Sequence, residues 1–343
     1  MASVPRRRPT IADVAALAGV SKGAVSRALN GGAGISAPTI ARIQAAAAEL
    51  DWVPNSAARA VSGAASQAVG LVLRRNPELL EADPFFPAFI AGVEQVLSAA
   101  GQSAVIRFVS EAGAEHDAYR RLFSERRVDG FLVTDLRHHD PRFEWLRALE
   151  APAVVAGTPP RTCTLPSVGT GSADQVRELL RHLIDAGHRT IAHVSGPPSL
   201  RHARRRIDLW RQTLEEAGLE PGPLADGEFT SEGSVRATRE LLEAPNRPTA
   251  IFYASDVMAI AGMSAIAEAG LSVPDDVAVA GFDGIALSNY VVPSLTTVHC
   301  DYQLMGRRAT QMLLTLVRGE EVPHISTPVG AQLVVRRSTT RTP

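Results

Sequence analysis

Thr10-Ile11-Ala12-Asp13-Val14-Ala15-Ala16-Leu17-Ala18-Gly19-Val20-Ser21, continued by Lys22-Gly23-Ala24-Val25-Ser26-Arg27-Ala28-Leu29-Asn30, is the stretch from which the architecture can be read. Ile11, Val14, Ala15 and Ala18 recur at spacings of three and four, the period of one helical face, and Thr10 stands where an N-cap belongs. Gly19 breaks that helix, and Ser21 caps a second one running to about Leu29. Asn30-Gly31-Gly32-Ala33-Gly34 reads as a loop. Ser36 starts a third helix through Leu50, with Ile40, Ile43, Ala47 and Leu50 turned inward. Two helices joined across a tight glycine turn, with a third completing a small core, is the helix-turn-helix plan. Taken alone, the same pattern also fits any short helical hairpin.

Working outward, the charge distribution favours the first of these readings. The chain of 343 residues carries a net charge of −1, yet residues 1–62 hold seven cations against three anions. The head is therefore +4 and the remainder −5, the footprint of a nucleic-acid-binding module joined to a mildly acidic body. Arg6–Arg8 before the apolar stretch Ile11–Val20 resemble a signal peptide, but Asp13 interrupts that stretch and its period is helical. No apolar run approaches a membrane span. The chain is read as cytoplasmic, and its two distant cysteines, Cys163 and Cys300, as reduced thiols.

Trp52-Val53-Pro54-Asn55 stops the third helix, Asn55 is placed to cap a short segment from Ser56 to Ser62, and Gly63-Ala64-Ala65-Ser66 reads as a link. Beyond it, apolar runs at Val69–Leu73, Ala104–Phe108, Gly130–Val133, Ala153–Val155, Ile191–Val194, Ala250–Tyr253 and Val277–Ala280 predict buried parallel strands. The helices between them end repeatedly in Ala-Gly, at 100–101, 186–187, 217–218 and 269–270, where glycine supplies a left-handed cap. Repeated βα units over this length predict two doubly wound lobes. The expected division is a helix-turn-helix head over 1–53, a hinge helix and linker over 54–66, and a two-lobed α/β body over 67–343.

The head stretch, with Pro54-Asn55 and Ala58-Arg59 after it, resembles the DNA-binding head and hinge of the lac-repressor (LacI/GalR) family. Asp83-Pro84-Phe85-Phe86, Gly187-His188-Arg189, Ser255-Asp256-Val257-Met258-Ala259, Gly281-Phe282-Asp283 and Pro293-Ser294-Leu295-Thr296-Thr297-Val298 follow in that family's order. The resemblance implies that the helix after Ser21 enters the major groove, where Lys22, Gly23 and Arg27 face base edges. Arg27 is the strongest candidate for a guanine contact, because its fork matches O6 and N7. It also implies that Thr10, Ser21, Ser26, Asn30, Ser36 and Thr39 hold phosphates, although capping explains these hydroxyls too. Ala24 stands where the family commonly has Thr. In the hinge, Asn55 and Ala58 match, and Val61 replaces the leucine usually wedged into the minor groove.

For the body, the resemblance implies a periplasmic-binding-protein-like effector domain with its ligand between two lobes. Arg206 matches the family's effector-gripping arginine and Asp283 its hydroxyl-accepting aspartate, expected on opposite cleft walls to suit vicinal hydroxyls or, on the Arg side, a carboxylate. Ser255 replaces the more usual Asn, Gly157 lies where some members carry an acid, and Leu209 where Gly is common. Phe229 is a candidate for stacking on the ligand or for the core, and Thr134 a further lining candidate. Arg204 and Arg205 read as surface charges. The implied function is a homodimeric regulator, most simply a repressor, that binds operator DNA under control of a sugar-like effector; without a C-terminal leucine heptad, a tetramer is not expected. A sugar-binding transport component is disfavoured by the head, and a sugar-processing enzyme by the missing catalytic motifs. No cofactor or metal is expected, and His138-His139-Asp140 is read as an exposed loop cluster.

Overall fold

The structure, a computed structural model, describes residues 9–29, 34–52, 65–75, 83–324 and 328–340. Two compact units divide them, one up to Ser66 and one from Gln67 onward, the turn at 125–127 apart. Asn30, Asn55, Ala58 and Val61 lie outside the described residues, as does the head–hinge boundary.

In the head, α1 (Ile11–Ala18), α2 (Lys22–Leu29) and α3 (Ala37–Glu49) enclose a core of Val14, Ala15, Ala18, Val25, Ile43 and Ala46. Ile43 faces inward as expected, but Ala46 is buried while Ile40, Ala47 and Leu50 are half-buried. Asp13 returns to the start of α1, its Oδ2 accepting from both the Thr10 amide and hydroxyl at 2.7 Å. Gly19, at φ 64°, adopts the left-handed conformation, and its neighbour Val20 donates back to the Ala15 carbonyl at 3.0 Å. Ser21 Oγ then accepts from the Ala24 amide at 3.2 Å, so the tight turn is closed by caps on both sides.

The body holds two parallel sheets. The first runs β2-β1-β3-β4-β5, from β1 (Ala68–Leu73), β2 (Ser103–Phe108), β3 (Gly130–Val133), β4 (Ala153–Ala156) and the short β5 (Ser167–Val168). β1, β3 and β4 are apolar and buried on both faces because helices cover both, whereas the edge strand β2, expected to be buried over Ala104–Phe108, is only half-buried and exposes Arg107. Val69, Leu71, Leu132 and Val154 pack with α4 (Phe85–Ala99), whereas Val72, Phe131, Val133 and Val155 pack with α5 (Ala112–Ser124) and α6 (Arg142–Ala148). After α7 (Ala173–Asp185), the second sheet runs β7-β6-β8-β9, from β6 (Ile191–Ser195), β7 (Leu224–Asp226), β8 (Ala250–Tyr253) and β9 (Ala278–Ala280). Its helices are α7, α8 (Arg201–Glu216), α9 (Ser231–Glu243) and α10 (Asp256–Glu268). The Ala-Gly caps are as read from the sequence, Gly101, Gly187, Gly218 and Gly270 all having positive φ.

β5, β7 and the antiparallel pair β10 (Thr297–Cys300) and β11 (Ala331–Val334) escape the sequence reading. β5 is two residues long, and β7 is an exposed edge without an apolar run. Between β10 and β11 the chain returns to the first lobe as α11 (Tyr302–Val317), packed on α4. The lobes are thus joined by three crossings, after β5, after β10 and before β11.

Candidate functional site

The exposed face of α2 carries Lys22, Gly23 and Arg27, with Ser26 half-buried beside them, while Val25 points into the core. Positions 22, 23, 26 and 27 share one side of the helix, so the residues expected to meet DNA form one surface. Ser36 and Thr39 pair through their hydroxyls at 2.9 Å at the start of α3. Thr10 is half-buried at the start of α1.

In the body, β6 and β9 belong to one sheet, and their carboxyl ends open onto a cleft of about 440 Å³ between the lobes. Arg206, on α8 after β6, lies with its guanidinium 3.7 Å over the Phe282 ring and donates to the Ala254 carbonyl at 3.0 Å. Asp283, after β9, accepts from the Tyr302 hydroxyl at 2.6 Å. Burial pushes the Asp283 carboxyl well above the usual carboxylate range, against the pull of Arg206. Because both residues project from the same sheet, they share the second-lobe wall; the expectation of opposite walls is corrected. Ser255 lines the cleft but spends its Oγ capping α10, accepting from Met258 N at 3.2 Å. Phe229 also lines it, its ring 5.3 Å from that of His202. Burial, with Arg206 nearby, lowers the His202 pKa and keeps the imidazole neutral. Gly157 and Leu209 line the cleft, and Arg204 and Arg205 are exposed at its edge as read.

The opposite wall belongs to the first lobe. Arg75, just beyond β1, donates in a fork to Asp135 at 2.5 and 2.9 Å and to Asp83 at 2.7 Å. Thr134 is buried next to Asp135 with its hydroxyl unpaired, and the lining passes through Asp135 and Leu136 instead, which corrects its place. Both residues lie beyond the end of β3, and Asp135 turns at a positive φ of 49°. Arg142, almost fully buried, braces this loop: it grips Asp140 at 2.6 and 2.8 Å and donates to the Asp135 carbonyl at 2.9 Å. Asp140 is therefore committed to an ion pair, unlike the exposed His138 and His139 beside it. At the rim the lobes meet, with Arg201 N donating to Leu136 O at 2.8 Å.

The Ser255–Ala259 and Gly281–Asp283 motifs meet at one buried carboxylate. Asp256 Oδ2 accepts from Gly284 N, Ile285 N and Ser288 Oγ at 2.9, 2.9 and 2.6 Å, and Oδ1 from Thr297 Oγ1 at 2.5 Å. A Cβ on Gly281 would collide with Asp256 Oδ1, so only glycine fits there. These bonds fix the turn that presents Asp283, whose φ of 114° is a strained conformation held only by its surroundings. Sequence reasoning missed Arg75, Asp135, His202 and Tyr302. Arg75 and Asp135 sit just past the carboxyl ends of β1 and β3, and the strand-end rule applied to the first lobe finds both.

Residues 10–55 match the family described as bacterial regulatory proteins, lacI family, and residues 180–339 match a periplasmic binding protein-like domain. The HTH-type transcriptional regulator CelR of Thermobifida fusca is 34% identical over 97% of this chain and 99% of its own. The HTH-type transcriptional repressor PurR of Photobacterium profundum is 30% identical over 96% of this chain and 98% of its own. Among solved structures, a CelR–cellobiose complex superposes with a TM-score of 0.74 at 33% identity, covering 96% of this chain and all of that one. The lac repressor dimer bound to operator and the anti-inducer ONPF gives 0.85 at 29% identity, covering 98% and 100%. With the helix-turn-helix head, the two-lobed body and near full-length likeness to named regulators, the chain belongs to the lacI family of bacterial regulatory proteins: it is an effector-controlled DNA-binding transcriptional regulator, not an enzyme.

Proposed function

We propose that this regulator is a cytoplasmic homodimeric repressor whose operator affinity is set by a sugar-type effector bound in the cleft between the lobes. The observation that carries the reading is the cleft itself, where Arg206 spends one donor on Ala254 and keeps its others, beside Asp283, Phe229 and Ser255. Arginine forks and carboxylates suit hydroxyl-rich ligands, and an aromatic face suits the apolar side of a sugar ring. A relative of this chain is known as a complex with cellobiose, and another is named the ribose operon repressor. Leu287, Tyr290 and Val292, large apolar residues exposed within six positions, support a dimer contact on the second lobe.

On DNA, Lys22, Gly23 and Arg27 read base edges, Thr10, Ser21, Ser26, Asn30, Ser36 and Thr39 hold phosphates, and Asn55, Ala58 and Val61 belong to a hinge spanning 54–66. Ser21 both caps α2 and faces the backbone. Effector binding shifts the lobes between two arrangements with different affinities for the ligand, and the hinge responds to that shift. The test is an operator titration with and without effector on wild type, Arg206→Ala and Asp283→Ala. Both variants are expected to bind operator and ignore the effector. Retained response in both would remove the cleft from the mechanism.

A further inference from the structure

We infer that Arg75, Asp83 and Asp135 form the first-lobe half of the effector site, and that this half selects an uncharged polyhydroxylated ligand and rejects phosphorylated or carboxylated ones. The inference rests on reading the cleft as the effector site and names the class of ligand it takes.

Arg75 cannot serve as an anion receptor, because two carboxylates already occupy it. Asp135 takes Nε and Nη2 in a fork, and Asp83 takes Nη1. Side-chain exposure is only 9% for Arg75, 16% for Asp135 and 17% for Asp83, so solvent screens this cluster little. With both carboxyls ionised the cluster carries one more negative charge than positive; burial raises the Asp83 pKa, and the Arg75 guanidinium at 2.7 Å opposes that shift. What it offers the cleft is acceptor capacity: each carboxylate oxygen that takes one N–H keeps a second lone pair for a ligand hydroxyl. Asp83 Oδ1 also accepts from Phe85 N at 3.0 Å, which fixes its orientation.

Across the cleft, Arg206 faces the third carboxylate, Asp283, so two guanidiniums meet three carboxyl groups along the inner walls. Even with Asp283 protonated, as its burial favours, no surplus positive charge remains to neutralise an anion. The other arginines at this cleft stand at its solvent edge. Arg204 pairs with Asp208 at 3.1 Å, and Arg177 with Asp174 at 3.2 Å. Arg201 reaches the Thr158 carbonyl at 3.4 Å, and Arg205 is exposed. A carboxylate or phosphate pushed against Asp83 and Asp135 would lose its hydration and meet like charge, the repulsive element by which a site discriminates.

The experiment uses the full chain and two probes. The first is a panel of neutral mono- and disaccharides, with the 6-phosphate and uronic acid of each, read by calorimetric titration. A neutral sugar is expected to bind and its anionic derivatives to bind roughly a hundredfold more weakly, the scale of one like-charge contact at a partly buried site. Asp83→Asn and Asp135→Asn should each weaken the neutral sugar about tenfold, since an amide offers fewer lone pairs where hydroxyls must donate. The second probe is inorganic phosphate at constant ionic strength, read by thermal unfolding. Wild type should show no saturable response. The Asp83→Asn/Asp135→Asn variant, with Arg75 released, should gain one, and a further Arg75→Gln change should remove it.

Arg75-dependent phosphate binding by wild type overturns the inference, as does unchanged sugar affinity in both single variants. A phosphate-blind double variant that still unfolds cooperatively overturns it too. If no neutral sugar binds wild type, the sugar reading of the effector falls, and the phosphate arm still decides the charge selection separately.

Discussion

Replacing Asp256 with alanine would strand four donors that converge on one buried carboxylate. The Ser288 and Thr297 hydroxyls can rotate toward other acceptors, but the amides of Gly284 and Ile285 are fixed by the backbone. Each buried N–H left without a partner costs about 1–3 kcal/mol, so the pair sets a penalty of about 4 kcal/mol. Against a typical total of about 5–15 kcal/mol, that is a large fraction. In a unit of this size it corresponds to a fall of roughly 8 °C or more in the unfolding midpoint. Asp256→Asn is the control. Its amide oxygen serves the two backbone donors, and Thr297 can turn to accept from the new NH2, so the expected cost is about 1 kcal/mol. Burial holds the Asp256 carboxyl above its ordinary range despite four hydrogen bonds, so losing the charge is itself favourable near neutral pH.

The assay is thermal unfolding of wild type and both variants, followed by operator titration with effector. Because Asp256 holds the turn that keeps Asp283 at φ 114°, the alanine variant should also lose effector response while still binding operator. An alanine variant melting within about 2 °C of wild type would refute the reasoning, since the stranded amides would then have found other partners. So would an asparagine variant as damaged as the alanine one.

Arg27→Ala is expected to cost about 1–3 kcal/mol of operator binding and to relax preference at one base pair per half-site, checked by titration over operator variants. Glu115→Ala removes the wholly buried acceptor that Arg137 grips at 2.8 Å to both oxygens, with Arg142 at 3.8 Å. It should destabilise the body by about 3–5 kcal/mol in denaturant unfolding. Asp283→Asn should raise the melting temperature of the ligand-free protein while abolishing effector response. A carboxyl whose folded pKa is raised stabilises the fold only while protonated, so the gain should be small near pH 4, grow as pH rises, and be seen in melts across that range.

How far the sequence could be read depended on whether each element signals locally. The central strands such as β1, β3, β8 and β9 are legible because burial on both faces leaves an unbroken apolar run, and the Ala-Gly pairs mark where each helix must stop. β7 and β5 leave no such trace: an exposed edge strand and a two-residue strand exist only because a neighbour offers hydrogen bonds. The same split runs through the site. Arg206 and Asp283 were legible by resemblance, but their shared wall was not, because it follows from β6 and β9 joining one sheet. Several family signatures prove structural where contacts are seen. Thr296 and Thr297 bind Thr339 and Asp256, and Ser255 caps a helix.

Motif matching therefore locates the scaffold that aims Asp283 more surely than it locates the groups that select a ligand. Arg75, Asp83 and Asp135 illustrate the difference. Asp83 lies 8 positions from Arg75 and Asp135 lies 60, with no local pattern in common, yet both meet one guanidinium at the mouth of β1. Asp256 is fixed by the turn it holds in this chain, whatever the ligand. Ligand choice rests on side chains at strand ends that can change without disturbing the sheets. The first-lobe wall of Arg75, Asp83 and Asp135 is accordingly where ligand choice can change without touching the turn that Asp256 holds.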